Sequence, residues 1–178
     1  MARLVAFLRG INLAGKSRVA MADLRALLED LGYEDVRTHL QSGNAALTTS
    51  SPGADVERAV ERAMEDRLGI PCAVIVRTGA QLGRIVEADR LGDVADDPAR
   101  RLVVFLRDRP PTAALAPLLA EDFGDERIEV AGREVYMWLP SGFAKSRLRV
   151  AAGKVEAVDR GTARNWRTVT RMAELSAG

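Results

Sequence analysis

The segment from Gly10 to Ser17 has the sequence Gly-Ile-Asn-Leu-Ala-Gly-Lys-Ser, which satisfies the phosphate-binding pattern G-x-x-x-x-G-K-[ST]. In proteins that carry this P-loop, backbone N–H groups surround phosphates, the lysine reaches the terminal phosphates and the hydroxyl binds Mg²⁺. An apolar run from Leu4 to Leu8 precedes the segment, as the buried strand before a P-loop does. The pattern therefore suggests a small nucleotide-dependent enzyme.

The surrounding sequence argues against a true P-loop. A P-loop helix begins at the glycine-lysine pair, whereas helical apolar spacing begins here only near residue 20. P-loop proteins have a mostly parallel sheet, but Ser42-Gly43 predicts an antiparallel hairpin. The nearest second carboxylate for Mg²⁺, Asp108, is separated by Arg107 from its apolar strand. We favour a glycine-rich strand-to-helix turn and keep the nucleotide-dependent enzyme as an alternative.

A larger set of donors, cations and glycines is predicted at strand ends and turns. Exposed backbone N–H groups in such loops, with Arg or Lys nearby, form sites that bind anions. Arg9 and Arg164 suit bidentate contact with a phosphate or carboxylate, and Trp166 suits stacking on a planar group. The sequence thus predicts a binding module for a phosphate-bearing ligand, a nucleotide or a nucleic acid. The predicted ligand-binding residues are Arg9, Gly10, Asn12, Gly15, Lys16, Gln41, Ser42, Asn44, Lys145, Arg164, Asn165 and Trp166.

The same residues also fit a structural role. Asn12 and Asn44 suit turns, because asparagine tolerates positive φ. Gln41 and Asn165 could join the two halves of the chain by hydrogen bonds to buried backbone groups. Trp166 could be buried in the core or packed between the two halves. A structural or protein-interaction domain without a ligand is therefore the second alternative.

Few other residues suggest chemistry. The chain has one histidine, His39, and one cysteine, Cys72, which excludes an internal disulfide and most zinc sites built on histidine. We expect His39 on the polar face of a strand and Cys72 as an inert core thiol. The sequence names no catalytic residue and no cofactor, and it predicts no metal site.

Composition indicates an ordinary globular protein. The 178 residues are 47% hydrophobic and 29% charged, with a net charge of +1, so total charge does not favour nucleic acid or an anionic membrane. The sequence shows neither a membrane-spanning run nor a signal peptide. With a single cysteine, this predicts a cytoplasmic protein that does not use a membrane. Nothing in the sequence selects monomer or dimer.

The elements that position these residues begin with a buried strand at Leu4–Leu8 and a helix near 20–31. Alternating residues predict a strand over 35–41, and a second strand follows near 44–49, joined to it by a two-residue turn at Ser42-Gly43. A helix near 53–68 and a strand at 72–76 follow. This order, strand-helix-strand-strand-helix-strand, is typical of a ferredoxin-like, split βαβ unit.

The second half repeats most of that order. A linking helix at 79–91 and an acidic loop precede a strand at 102–106, a helix near 112–121 and a hairpin that turns at Ala131-Gly132. A helix near 147–157, a short strand near 159–163 and a final helix near 165–175 complete it. We predict an α+β fold of two ferredoxin-like halves with mixed or antiparallel sheets and a C-terminal helix. The predicted domains are 1–78, a linking segment 79–100, and 101–178.

Three separated motifs resemble those of an uncharacterised bacterial family known only as a domain of unknown function. They are Leu-Arg-Gly-Ile-Asn-Leu-Ala-Gly-Lys from Leu8, Gln-Ser-Gly-Asn from Gln41, and Thr-Ala-Arg-Asn-Trp from Thr162. The Lys145–Leu148 segment is similar to that family's Ser-Lys-Leu element. The resemblance covers nearly the whole chain and implies a two-part ferredoxin-like fold but no established activity. Ser17 stands where that family often has Asn, so the resemblance implies that the P-loop pattern is completed by coincidence.

Overall fold

Continuous and alternating apolar runs form two four-stranded antiparallel sheets, as seen in a computed structural model that describes residues 1–13 and 18–177. The chain divides into two compact units. The first consists of Met1–Val86 with Thr170–Gly178, and the second of Glu87–Val169. Each unit contains one sheet with its own hydrophobic core.

The first unit is built around a buried central strand. Its elements are β1 (Ala2–Leu8), α1 (Met21–Asp30), β2 (Glu34–His39), β3 (Asn44–Thr49), α2 (Gly53–Leu68) and β4 (Val74–Thr78). The sheet order is β2-β3-β1-β4 with every neighbouring pair antiparallel. Because side chains alternate along a strand, Leu4, Ala6 and Leu8 share one face of β1 and join the core with α1 and α2.

The second unit repeats the same strand order. It contains β5 (Arg101–Phe105), α4 (Thr112–Ala120), β6 (Arg127–Ala131), β7 (Glu134–Trp138), a 3₁₀ turn (Phe143–Lys145), α5 (Arg147–Ala152), α6 (Glu156–Asp159) and β8 (Thr162–Asn165). The sheet order is β6-β7-β5-β8, again antiparallel throughout. Two helices, α3 (Gly79–Ala88) and α7 (Trp166–Ser176), each contribute residues to both units.

The predicted fold class is confirmed: the α+β protein has two sheets with ferredoxin-like strand order and a C-terminal helix. The sheets are antiparallel rather than mixed. The predicted domain limits at residues 78 and 100 stay predictions. No helix within the described residues is long and apolar enough to cross a membrane.

Two local predictions are wrong. The predicted two-residue turn is a four-residue loop, because His39 pairs with Asn44 and residues 40–43 lie between the strands. The predicted helix near 147–157 is two short helices, α5 and α6. It is interrupted at Gly153, whose N–H donates to Arg149 O at 3.0 Å as α5 ends. The following strand therefore begins only at Thr162, after α6.

Candidate functional site

The loop after β1 is held closed by the side chain of Asn12. Its Nδ2 donates to Val19 O at 3.0 Å and to Gln41 O at 2.6 Å, and its Oδ1 accepts from Val19 N at 2.8 Å. Asn12 has a φ of 57°, a conformation that asparagine tolerates better than most residues. One amide therefore joins the two ends of the loop to the tip of the β2–β3 hairpin.

The hairpin tip packs against the same loop. Asn44 is fully buried, and its Nδ2 donates to His39 O and to Ser42 Oγ, each at 2.9 Å. Gly43 has a φ of 70°, and a Cβ there would lie 2.7 Å from Ile11 Cδ1. Leu8 N donates to Gly43 O at 2.8 Å. Gly43 is thus required both by its backbone conformation and by the close approach of Ile11.

We call these residues, 8–12 with 40–44, the loop–tip cluster. It brings together Arg9, Gly10, Asn12, Gln41, Ser42 and Asn44 of the predicted ligand-binding set. The backbone N of Arg9 donates to Ala73 O at 2.8 Å, and the Arg9, Gln41 and Ser42 side chains are exposed. Gly15 and Lys16 of the predicted set lie outside the described residues.

The start of α1 does not fit a P-loop. The helix begins at Met21 after an extended Ala20, beyond the Gly15-Lys16 pair at which a P-loop helix would begin. Its sheet is antiparallel, whereas a P-loop sheet is mostly parallel. The alternative of a P-loop enzyme receives no support from this geometry.

Two further predicted residues, Arg164 and Asn165, lie at the end of β8 in the second unit. The buried Arg164 guanidinium donates from Nη1 to Thr162 Oγ1 at 2.7 Å and to Ala163 O at 2.8 Å. Burial lowers the pKa of Arg164 to about 10. Asn165 Oδ1 accepts from Thr168 N at 2.9 Å and so satisfies one of the free N–H groups of the first turn of α7.

Trp166 is buried, and its ring contacts the guanidinium of Arg101, which lies in the same unit. The Arg101 guanidinium lies 3.6 Å from the centroid of the Trp166 ring, a geometry that favours cation–π attraction. Arg101 also donates to Asp89 Oδ1 at 2.7 Å, and Trp166 N donates to Pro98 O at 3.1 Å. Sequence reasoning missed Arg101, although a charged residue that opens the apolar run 102–106 is itself a signal of a buried ion pair.

A cleft of about 530 Å³ lies in the second unit between the end of α4 and the segment 144–155. We call it the basic cleft, because Lys145, Arg147 and Lys154 line it together with one carboxylate, Glu121. Arg147 Nη2 lies 3.8 Å from Glu121 Oε1. Within the part of the chain that the structure describes, no ion pair joins Lys145 or Lys154 to a carboxylate. Aliphatic side chains line the rest, among them Leu118, Val150 and Val155.

The cationic segment is held in place by its backbone and by one capping residue. Ser146 is buried, and its Oγ accepts from Arg149 N at 2.8 Å, which caps α5. Leu148 N donates to Glu126 Oε2 at 2.8 Å. The Arg149 guanidinium lies 4.7 Å from the centroid of the Phe143 ring. Two hydrogen bonds therefore hold the start of α5, which carries Arg147 at the cleft.

Of the predicted residues that the structure describes, only Lys145 lines the basic cleft. A sequence signal for the cleft existed: residues 141–155 contain four cations and no acidic residue. The cleft itself could not be foreseen, because its other wall, Pro117 to Glu121, comes from α4 and the residue that follows it.

Burial shifts the pKa values of both His39 and Cys72. Burial, reinforced by Glu61, raises the pKa of the Cys72 thiol to about 11, so the thiol is protonated at neutral pH. Burial and the nearby Arg171 lower the pKa of His39. Within residues 1–13 and 18–177, no group of three or more His, Cys, Asp or Glu side chains is arranged to hold a metal ion.

Comparison with known proteins gives a family and a related fold. Residues 1–136 match the model of the family described as "Protein of unknown function (DUF1697)". A solved structure, that of the conserved bacterial protein SP0830 from Streptococcus pneumoniae, is similar with a TM-score of 0.81 at 21% sequence identity, over 98% of each chain. A search of curated proteins gave no match. The family model covers most of the chain, and this protein therefore belongs to the DUF1697 family of proteins of unknown function.

Proposed function

We propose that this protein is a binding module for a phosphate-bearing ligand, and that the basic cleft is its binding site. The observation that carries the proposal is the charge of the cleft, where three cations face one carboxylate. A phosphate group placed there would gain charge-assisted hydrogen bonds from Lys145 and Lys154, which keep no carboxylate partner within the described residues.

The cleft has the dimensions of a small-molecule site. Its volume of about 530 Å³ lies within the range of about 300–1,000 Å³ that is usual for ligand pockets. Arg147 is the cation that already has a neighbour, Glu121 at 3.8 Å, and both side chains are largely exposed. An exposed pair of this kind contributes about 0–1 kcal/mol, so a phosphate competes with Glu121 at little cost.

In this proposal the loop–tip cluster stabilises the fold and does not bind the ligand. The amides of Asn12 and Asn44 are engaged by backbone and hydroxyl groups, and Asn165 caps a helix. The Lys145–Leu148 segment, which resembles a family element, supplies three cleft residues, of which Lys145 and Arg147 are cations. We also propose that the Lys145–Leu148 segment corresponds to that family element.

Calorimetric titration with inorganic pyrophosphate, ATP and a short oligonucleotide tests the proposal. We expect saturable binding of at least one of the three probes. The double variant Lys145→Ala/Lys154→Ala should bind that probe about tenfold or more weakly, because each substitution removes a charge-assisted contact of about 1 kcal/mol to the phosphate. Arg109→Ala is the matched control, because Arg109 is an exposed cation of the second unit that does not line the cleft.

Two results would decide against the basic cleft. If no phosphate-bearing probe binds saturably, the structural domain without a ligand becomes the better interpretation. If a probe binds and the lysine double variant binds it equally well, the site lies elsewhere, and Arg9→Ala tests the loop–tip cluster.

A further inference from the structure

The lining of the basic cleft is largely aliphatic away from its cations. Pro117, Leu118, Val150, Ala151 and Val155 contribute to it, and among the described residues no aromatic ring does. Val150 is 48% exposed, although it lies on a helix whose Leu148 and Ala152 are buried in the core. Pro117 is exposed as well, so part of the aliphatic lining is open to solvent beside the cations, and ligand pockets are commonly lined by such apolar side chains.

From this lining we infer that the ligand of the basic cleft is an amphiphilic phosphate, a molecule with a phosphate group on an aliphatic chain. The molecule binds from solution and not from a membrane. The inference rests on the proposed function, because it keeps the phosphate on Lys145 and Lys154 and adds the chain on the aliphatic wall. The geometry provides for both parts of such a molecule in one cleft.

A nucleotide or nucleic acid fits the same lining less well. Proteins bind nucleobases by stacking them on aromatic rings and by hydrogen bonds to their polar edges. The polar side chains in the lining are three cations, Glu121 and Ser146. Ser146 is buried, and its Oγ is engaged in capping α5. The cleft therefore offers contacts to a phosphate and to methylene groups, and few to a base.

A protein partner also fits less well, for reasons of size. Stable protein interfaces involve roughly 20–30 residues on each side, and burial of about 800 Å² per partner. Within residues 1–13 and 18–177, eleven residues line the cleft. A lining of this extent matches a small ligand.

The test is calorimetric titration of the whole chain with inorganic phosphate and with butyl, hexyl and octyl phosphate below their micelle concentrations. We expect the affinity to rise about two- to fourfold for each methylene that enters the cleft, since burial of a methylene is favourable. The variant Val150→Ser should reduce the ratio of octyl phosphate to inorganic phosphate affinity at least threefold. Leu119→Ser is the matched control, because Leu119 is 45% exposed on α4 and does not line the cleft.

Several outcomes would overturn the inference. Equal affinity for inorganic phosphate and octyl phosphate would refute the aliphatic chain and leave the proposed function standing. A short oligonucleotide that binds more tightly than octyl phosphate, and that loses affinity in Lys145→Ala/Lys154→Ala, would replace the amphiphile by a nucleic acid. Absence of binding by every phosphate probe would refute both.

Two more measurements separate a free amphiphile from a lipid headgroup and do not depend on the variants. Binding to vesicles of phosphatidylcholine with phosphatidic acid, without binding of free octyl phosphate, would contradict a ligand free in solution. In methyl NMR spectra, octyl phosphate should shift the Leu118, Val150 and Val155 signals more than inorganic phosphate does. Equal shifts would contradict contact with the chain.

Discussion

The loop–tip cluster and the basic cleft are both rich in polar side chains, but they use them differently. In the cluster, the amides of Asn12 and Asn44 make hydrogen bonds to neighbouring backbone and hydroxyl groups. In the cleft, Lys145 and Lys154 line a cavity of about 530 Å³ and form no ion pair within the described residues. The cluster closes a loop onto a hairpin, whereas the cleft leaves its charges facing solvent.

This difference distinguishes a structural role from a ligand-binding role for a polar residue in a turn. A buried amide that meets backbone groups satisfies donors and acceptors that would otherwise be costly to bury. A cation beside an open aliphatic wall has no such structural need. For that reason we expect substitutions in the cluster to change stability, and substitutions in the cleft to change ligand affinity.

The largest expected effect is at Gly43. Replacement by Ala places a Cβ 2.7 Å from Ile11 Cδ1 at a φ of 70°. We expect a loss of about 3 kcal/mol in the free energy of unfolding, the sum of left-handed strain and overpacking. Gly32→Ala is the matched control, because Gly32 has a φ of 81° with nothing within 4 Å. That variant should lose about 1 kcal/mol from strain alone.

Urea denaturation followed by circular dichroism gives both values. Equal losses in Gly43→Ala and Gly32→Ala would mean that the contact with Ile11 contributes nothing, and the cluster would then be less tightly packed than its distances indicate.

Asn44→Ala should have the next largest effect, a loss of about 2 kcal/mol in the free energy of unfolding, because it removes the buried amide that donates to His39 O and to Ser42 Oγ. Gln41→Ala, at an exposed position of the same tip, should change stability by less than about 0.5 kcal/mol. Denaturation and pyrophosphate titration on the same variants measure both quantities. If Asn44→Ala kept its stability and lost pyrophosphate binding, the loop–tip cluster would be a ligand site.

In the cleft, Ser146→Ala removes the cap of α5 and should lower the free energy of unfolding by about 1 kcal/mol. Because α5 carries Arg147 and Val150 at the cleft, pyrophosphate affinity should fall as well. Ser141→Ala is the control, since Ser141 is exposed in the same segment. An unchanged affinity in Ser146→Ala would show that the cleft does not depend on the cap.

The smallest effect concerns His39, the last residue of β2, next to the cluster. Burial, with the nearby Arg171, lowers the pKa of His39 in the folded chain below 6.5. The unfolded chain then takes up a proton first, so the contribution of His39 to stability is complete above pH 6.5 and is lost as the pH falls through the folded pKa. Denaturation between about pH 5.5 and 7.5 should show a slight loss toward low pH that His39→Gln removes. An identical slope in both proteins would contradict the shift.

Much of the fold follows from the sequence, and the reasons are local. The apolar run Leu4–Leu8 predicts a buried strand, and α1 follows from the helical spacing of Leu24, Leu27, Leu28 and Leu31. The four-residue hairpin loop could not be predicted from turn preferences. Leu40 adopts a φ of 57° there, a conformation rare for leucine, and the contacts of Asn44 and Gly43 hold the tip in place.

The candidate site was predicted less completely than the fold. Turn-forming asparagines and cations look alike in a sequence, since both are polar residues next to glycine. Asn12 belongs to the predicted ligand-binding set, yet its amide contacts the backbone of Val19 and the Gln41 carbonyl, which only folding brings within reach. Lys154 was missed, because nothing near it in the sequence marks the wall that α4 supplies.

The sequence by itself determined the two α+β halves, the order of their elements and the absence of a disulfide, because periodicity, glycine placement and a single cysteine are local properties. Tertiary structure alone decided which polar groups are engaged and which face a cavity. Asn44 is buried and donates a hydrogen bond to the carbonyl of His39 in β2. Lys145 lines the cleft because α4 supplies the opposite wall. The partners of a side chain depend on three-dimensional proximity, and spacing along the chain does not encode that proximity.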